Sequence, residues 1–130
     1  GRNRQGAPSN GTIILYMERV DDGISLTVLR SMAERMWGSL VKADVDVVRD
    51  ILLVDMDMHA DGQAWLLEDG SNQEDLWGIN LHPDKYGTDD FIEFDSMINI
   101  RPRQKNPSRD VLDASIRERI IKVVEAKVHE

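Results

Sequence analysis

The sequence contains no cysteine. This absence excludes disulfide bonds, zinc sites built on thiolates and cysteine nucleophiles. At 130 residues, the chain has the usual size of one domain and can bury a core without such cross-links. The lack of cysteine also fits a reducing compartment.

The sequence also lacks long apolar runs. No stretch approaches the roughly 20 residues that a membrane-spanning helix requires, so we expect no membrane insertion. The polar segment 1–11 (GRNRQGAPSNG) lacks the apolar core of a signal peptide. We therefore predict a cytoplasmic protein, with a disordered tail over residues 1–11 and a single α+β domain over residues 12–130.

Several well-known catalytic motifs are absent too. The chain has no glycine-rich phosphate loop, no G-x-S-x-G nucleophile elbow and no H-E-x-x-H metal motif. The sequence therefore names no reaction and predicts no cofactor.

Positive charge is scarce in the middle of the chain. The net charge is −8, and residues 41–95 hold 15 acidic and only three basic residues. Such a block repels phosphate backbones, which makes nucleic acid an unfavourable partner. It would attract a basic protein or a cation, although solubility alone also accounts for it.

Apolar periodicity predicts two helices and a series of strands. The first helix begins at Ser25, a good N-cap, and ends near Gly38, and the second helix begins at Asp113. Between the helices, β-branched and apolar residues alternate with polar ones, which is typical of strands. The predicted strands span residues 12–19, 41–47, 51–54, 63–68, 76–82 and 91–101.

The order of these elements favours one fold class. Strands that follow one another without intervening helices pair as an antiparallel meander. We therefore predict an α+β fold, with a mostly antiparallel sheet of about five to six strands and two helices packed on one face.

The last two strands can be placed in register by their pattern. Leu81 opposite Ile92 sets Ile79 opposite Phe94, so that apolar side chains meet along one face. The opposite face then carries two carboxylates, a histidine, two amides and a guanidinium, which could orient a ligand or transfer protons. These candidate binding residues are Asn80, His82, Glu93, Asp95, Asn99 and Arg101.

An alternative interpretation of this face is that it is simply solvated, with Arg101 paired to an acid. Gly78 lies in the middle of the face, opposite Asp95, and leaves room for a close approach to the backbone. The group that fills this gap is either a ligand or a neighbouring side chain such as Trp65.

A second group of candidate ligands lies in the segment DMDMHADG, residues 55–62. Asp57, His59 and Asp61 alternate with apolar residues, so an extended chain would place them on one side of a strand. Their spacing also follows the calcium loop D-x-[DN]-x-[DN]-G-x5-E, although imidazole is a poor calcium ligand. We predict at most a weak divalent-cation site at these three residues, with a solvated acidic loop as the alternative.

Two strings, LWGIN at residues 76–80 and FDSMINIRP at residues 94–102, carry a resemblance to a known family. Together with HADGQAWLLEDGSNQED before them and the amphipathic helix after them, they make residues 25–128 similar to a family of short prokaryotic proteins of unknown function. The resemblance implies a small stand-alone domain in bacteria or archaea. It implies no activity, cofactor or catalytic residue.

These observations lead to two functional hypotheses. We favour a non-enzymatic binding or interaction module whose acidic sheet face engages a basic partner or a cation. The alternative is a small hydrolase-like enzyme, with or without a divalent ion, that uses Glu93, Asp95 and His82. An enzyme should place one of these groups in a concave pocket with a strongly perturbed pKa, whereas a binding module should have an open polar face.

Overall fold

The computed structural model describes residues 16–36 and 38–130. The helices and strands in these residues are β1 Glu18–Arg19, β2 Ile24–Ser25, α1 Leu26–Arg35, β3 Val41–Asp46, β4 Ile51–Val54, α2 His59–Glu68, β5 Leu76–Leu81, β6 Ile92–Glu93, α3 Ala114–Lys127 and β7 Val128–His129. Short 3-10 turns lie at Gln73–Asp75, Pro83–Lys85, Met97–Asn99 and Pro102–Gln104. The predicted tail at residues 1–11, and residues 12–15 of the first predicted strand, lie outside the described residues.

Strands β1, β3, β4, β5 and β6 form one antiparallel sheet in the order β1-β4-β3-β5-β6. The central pair is β3 and β5, which run antiparallel from Val41 opposite Leu81 to Asp46 opposite Leu76. The other two strands, β2 and β7, form a small parallel pair. The predicted α+β class with a mostly antiparallel sheet is therefore confirmed.

One face of the sheet packs against α1 and α3. Alternate residues of β3 and β5 point to this face, and the two helices contribute their apolar stripes. Ser25 caps α1 by accepting a hydrogen bond from the Val28 N–H at 3.2 Å, and Asp113 caps α3 in the same manner. Both predicted helices are thus found, although α1 ends at Arg35 rather than near Gly38. The centre of this core consists of Leu29, Ala43, Val45, Trp77, Ile79, Leu81, Ile120 and Val124.

A third helix, α2, covers the opposite face of the sheet. We expected a strand at residues 63–68, but these residues form the second half of α2. Ala60 and Ala64 favour helix, and the packing of Trp65 and Leu66 against the sheet stabilises it. The two predicted helices, α1 and α3, do pack on one face, and α2 is a third helix, not predicted, on the other face. The sheet residues under Trp65 and Leu66 are Ile51, Leu53 and Leu76.

The last predicted strand is shorter than its pattern indicates. β6 ends at Glu93, and a turn at Met97–Asn99 interrupts the predicted strand 91–101. Ser96 stabilises this turn, because its hydroxyl accepts a hydrogen bond from the Ile98 N–H at 3.2 Å. Local hydrogen bonding by a serine thus overrides the alternation of polar and apolar residues.

The predicted register of the β5–β6 hairpin is confirmed where the strands pair. Leu81 lies opposite Ile92, and Asn80 lies opposite Glu93. Ile79 is fully buried in the core on the side of α1 and α3. The polar face of β5 therefore points toward α2, which determines what the candidate site can contact.

Candidate functional site

The predicted gap at Gly78 is filled by two side chains of this chain. A Cβ atom on Gly78 would lie 2.5 Å from Ser96 Oγ and 3.0 Å from His59 Cδ2. Trp65, the neighbour suggested by the sequence, packs instead in the apolar cluster under α2. Gly78 therefore permits a close contact between β5, α2 and the segment that follows β6.

Asp44 on β3 lies directly opposite Gly78 and is fully buried. Neither of its carboxylate oxygens accepts a hydrogen bond from the described residues. Gly62 of α2 packs on it so closely that a Cβ atom there would lie 2.4 Å from Asp44 Oδ2. Burial, together with the nearby charge of Asp61, raises the pKa of Asp44 well above its usual value, which favours the neutral acid.

His59, the first residue of α2, is buried between the helix and the sheet. Its Nε2 lies 2.8 Å from the Ile79 carbonyl oxygen, which can only accept, so Nε2 carries the proton. Burial lowers the pKa of His59 more than the Ile79 carbonyl raises it, and the charge of Lys42 adds to the lowering. His59 is therefore a neutral hydrogen-bond donor that fastens α2 to β5.

The exposed part of the predicted face lies at the end of β5. Glu93 Oε1 accepts a hydrogen bond from Asn80 Nδ2 at 3.1 Å and lies 3.0 Å from His82 Nε2. The Glu93 side chain is 46% exposed, and its hydrogen bond with His82 lowers the pKa of the carboxyl group. An ionised carboxylate is therefore held at the surface by an amide and an imidazole.

Asp95 lies beside these residues. Its carboxylate accepts a hydrogen bond from Arg109 Nε at 2.6 Å, and its backbone carbonyl accepts one from Asn80 Nδ2 at 3.3 Å. Both side chains of the Asp95–Arg109 pair are exposed, so the pair contributes little to stability. Four of the six predicted binding residues thus form one connected group, the Glu93 cluster: Asn80, His82, Glu93 and Asp95.

The other two predicted binding residues, Asn99 and Arg101, lie outside the Glu93 cluster. Asn99 is fully buried, and its amide is bonded to both the N–H and the carbonyl of Gly78, at 2.8 and 3.0 Å. Arg101 donates to two backbone carbonyls and lies over the Trp77 ring, 4.0 Å from its centroid. Both side chains hold the segment after β6 against β5, because the turn at residues 97–99 directs them there.

The three predicted metal ligands are separated by the start of α2. Asp57 is exposed before the helix, and Asp61 is exposed on its first turn. His59 points the other way, with Nε2 on the Ile79 carbonyl. In residues 16–36 and 38–130, no group of three His, Asp or Glu side chains is arranged to hold a metal ion. The extended segment expected from the alternation of residues 57–61 is therefore not formed.

An acidic cleft of about 200 Å³ lies beside the start of α2. Its lining includes Asp55, Asp57 and Asp61, and Arg35 forms an ion pair with Asp55. Asp55 has a φ of 74°, a left-handed conformation that non-glycine residues rarely adopt. The sequence pattern missed this cleft, because it is assembled from segments far apart in the chain.

A larger cleft, of about 470 Å³, lies between α3 and the loop that joins β5 to β6. We call it the hairpin cleft. Its rim carries Asp89 and Glu125. Tyr86 packs edge-on against Phe91, with ring centroids 5.1 Å apart, which holds the loop in place. The sequence analysis missed this cleft; the signal that could have indicated it is the pair of aromatic residues, Tyr86 and Phe91, in an acidic loop. Its apolar floor consists of Phe91, Ile92, Phe94, Ile121 and Val124.

Fold and site together define a small α+β domain with a polar cluster at the edge of its sheet. No helix among the described residues has the length and apolar character to cross a membrane. Residues 18–127 match the model of the family described as Protein of unknown function (DUF5674), and the chain belongs to that family. No curated protein and no solved structure matches the chain. The predicted resemblance to an uncharacterised family is thereby confirmed.

Proposed function

We propose that this chain is a binding module that engages a basic protein partner through the β5–β6 hairpin. Residues 84–93 hold four carboxylates and one lysine. Asp84, Asp89 and Asp90 are exposed, and Glu93 follows them on β6. The observation that carries the proposal is that this acidic hairpin borders the apolar hairpin cleft.

The combination of charge and apolar surface favours a protein partner over a simple cation. Exposed carboxylates attract any cation, and His82 and Asn80 hold Glu93 in its ionised form. A cleft with an apolar floor is complementary to apolar side chains, which a bare metal ion does not have. A basic segment of a protein carries both kinds of group, so it uses the whole of this surface.

Binding of a fluorescent decalysine peptide tests the proposal. We expect the wild-type chain to bind it, with an affinity that falls as added salt screens the charges. The triple variant Asp89→Asn, Asp90→Asn, Glu93→Gln should bind about tenfold more weakly or worse. A decaglutamate peptide should not bind.

Glu74→Gln is the control for this experiment, and it is compared with the single variant Glu93→Gln, which removes the same charge from the hairpin. Glu74 is exposed and precedes β5, so it lies at the opposite end of that strand, about 20 Å from His82. The Glu74→Gln substitution removes one carboxylate and leaves the hairpin unchanged. Thermal unfolding of each variant checks that the fold is intact. If the triple variant folds and binds decalysine as tightly as the wild-type chain does, the proposal is wrong.

A hydrolase-like enzyme is the second candidate, and one observation favours it. His82 Nε2 lies 3.0 Å from Glu93 Oε1, and an ionised carboxylate in this position can orient a histidine that acts as a base. Hydrolysis of p-nitrophenyl esters and phosphates distinguishes the two candidates. The enzyme hypothesis requires turnover that His82→Gln abolishes, whereas the binding module requires none.

A further inference from the structure

The backbone of β6 is open on one side. Among the residues that the structure describes, β6 is the last strand of the sheet and pairs with β5 alone. The His82 N–H donates to the Phe91 carbonyl at 2.8 Å, and antiparallel strands alternate the direction of successive residues. The N–H and carbonyl of Ile92 therefore point away from β5, and no other described residue bonds them. This edge offers one donor and one acceptor to a further strand.

Two different surfaces flank this open edge. The side chain of Ile92 lines the hairpin cleft. The next side chain, Glu93, points to the opposite face of the sheet, where it meets His82. A strand laid beside β6 alternates its own side chains in the same way. Every second residue would thus enter the apolar cleft, and the residues between would face a carboxylate.

We propose that β6 accepts an extended segment of the partner protein in which apolar residues alternate with lysine or arginine. This inference rests on the proposed function and names the form of the partner. The apolar residues of the segment pack on Ile92 and Ile121 in the cleft, beside Phe94, whose ring carries the Arg117 guanidinium 4.4 Å from its centroid. Its basic residues pair with Glu93 on the other face, while Asp89 and Glu125 at the rim of the cleft attract flanking positive charge.

The shortness of β6 determines where the specificity comes from. β6 has only two residues, so the backbone contributes few hydrogen bonds to the added strand. The alternation of the side chains must then supply the selectivity, because only an extended segment places apolar and basic groups on opposite faces. A segment with its basic residues in one block can pair with the carboxylates of the acidic hairpin, but it does not place apolar side chains in the cleft.

Two synthetic nonapeptides of the same composition test this inference on the intact chain. One alternates valine and lysine, and the other has its valines and lysines in separate blocks. We expect the alternating peptide to bind about tenfold more tightly by fluorescence anisotropy, and to slow hydrogen exchange at the Ile92 amide. Ile121→Lys should weaken the alternating peptide about tenfold and leave the blocked peptide less affected. Gln73→Lys, which adds the same single positive charge at the exposed other end of β5, is the matched control.

The outcomes separate this inference from the proposed function. Equal binding of the two peptides, with unchanged exchange at Ile92, would overturn the added strand while the acidic hairpin stays a binding surface. Failure of both peptides and of decalysine would overturn the proposed function as well. Preference for the alternating peptide with protection at Ile92 supports both.

Discussion

Asp44 and Gly62 pack so closely that a Cβ atom on the glycine would lie 2.4 Å from the Asp44 Oδ2 atom. Strand β3 and helix α2 are therefore in contact through the Asp44 carboxyl group and the backbone of Gly62, which has no side chain. The carboxyl group accepts no hydrogen bond from the described residues. This contact fixes how near α2 lies to the sheet, and it makes the stability of the domain sensitive to a single methyl group and to a single proton.

Replacement of Gly62 by alanine tests the closeness of this contact. Glycine to alanine in an exposed helix stabilises by about 1 kcal/mol. Here the new methyl group would lie 2.4 Å from Asp44 Oδ2 and 2.7 Å from Met56 Cε, and because both side chains are buried, overpacking outweighs the gain in helix propensity. We expect Gly62→Ala to lower the free energy of unfolding by about 1–2 kcal/mol in urea titrations.

Gly38→Ala serves as the control for that measurement. A Cβ atom on Gly38 would have Met36 O as its nearest atom, at 3.8 Å, which is ordinary contact. The free energy of unfolding should therefore change by no more than about 0.5 kcal/mol. A Gly62→Ala variant as stable as the wild-type chain would mean that α2 does not rest on Asp44.

The charge state of Asp44 predicts a pH dependence of stability. Burial, with a further contribution from Asp61, raises the pKa of Asp44 in the folded chain. The folded state thus binds a proton more tightly than the unfolded state does. The stability from this group is complete below the ordinary Asp pKa of about 4 and is lost as pH rises through the raised pKa. At pH values above the raised pKa, each unit by which folding raises the pKa lowers the free energy of unfolding by about 1.4 kcal/mol.

Asp44→Asn removes this titration and keeps the size of the side chain. We expect the Asn variant to gain stability relative to the wild-type chain as pH is raised from about 4 to 8. Urea unfolding at a series of pH values measures the difference. Gly38→Ala, which alters no titratable group, should run parallel to the wild-type curve. If Asp44→Asn also ran parallel, Asp44 would have to be ionised and solvated in the folded chain.

Asn99 provides a third test, which concerns the segment after β6. Its amide bonds the N–H and the carbonyl of Gly78 and also the carbonyl of Arg109, at 2.8, 3.0 and 2.9 Å. Asn99→Ala leaves these buried groups unpaired, so we expect a loss of about 3 kcal/mol in the free energy of unfolding. Asn72→Ala is the control, because Asn72 is exposed and its side chain caps no helix. Similar stabilities of the two variants would contradict a structural role for Asn99.

The sequence predicted the hairpin register because both strands alternate with a period of two. A slip of one residue would have moved Ile79 out of the core, so the pattern excluded it. Asn80, His82 and Glu93 follow from that register, and they do meet. The function of the cluster stays a prediction.

The remaining features depend on contacts that no local pattern encodes. Trp65 and Leu66 are adjacent in the sequence, which is as compatible with a strand as with a helix, and α2 is stabilised by docking on the sheet. The alternation of Asp44 with apolar neighbours predicts that it faces solvent, but the packing of α2 on this face of the sheet buries it. Asn99 and Arg101 do not lie on the predicted face, because the turn that begins at Ser96 changes the direction of the chain.

The position of β3 in the sheet also has a consequence for the order of assembly. β3 pairs with β4, which follows it after a short turn, and with β5, which follows only after α2. The β3–β4 hairpin closes a short loop, whereas β5 must return across a segment of the chain that contains a whole helix. The topology therefore favours early formation of the hairpin, with β5 and α2 docking together afterwards. In the hairpin alone Asp44 is still in contact with water, so its desolvation belongs to the late step of folding.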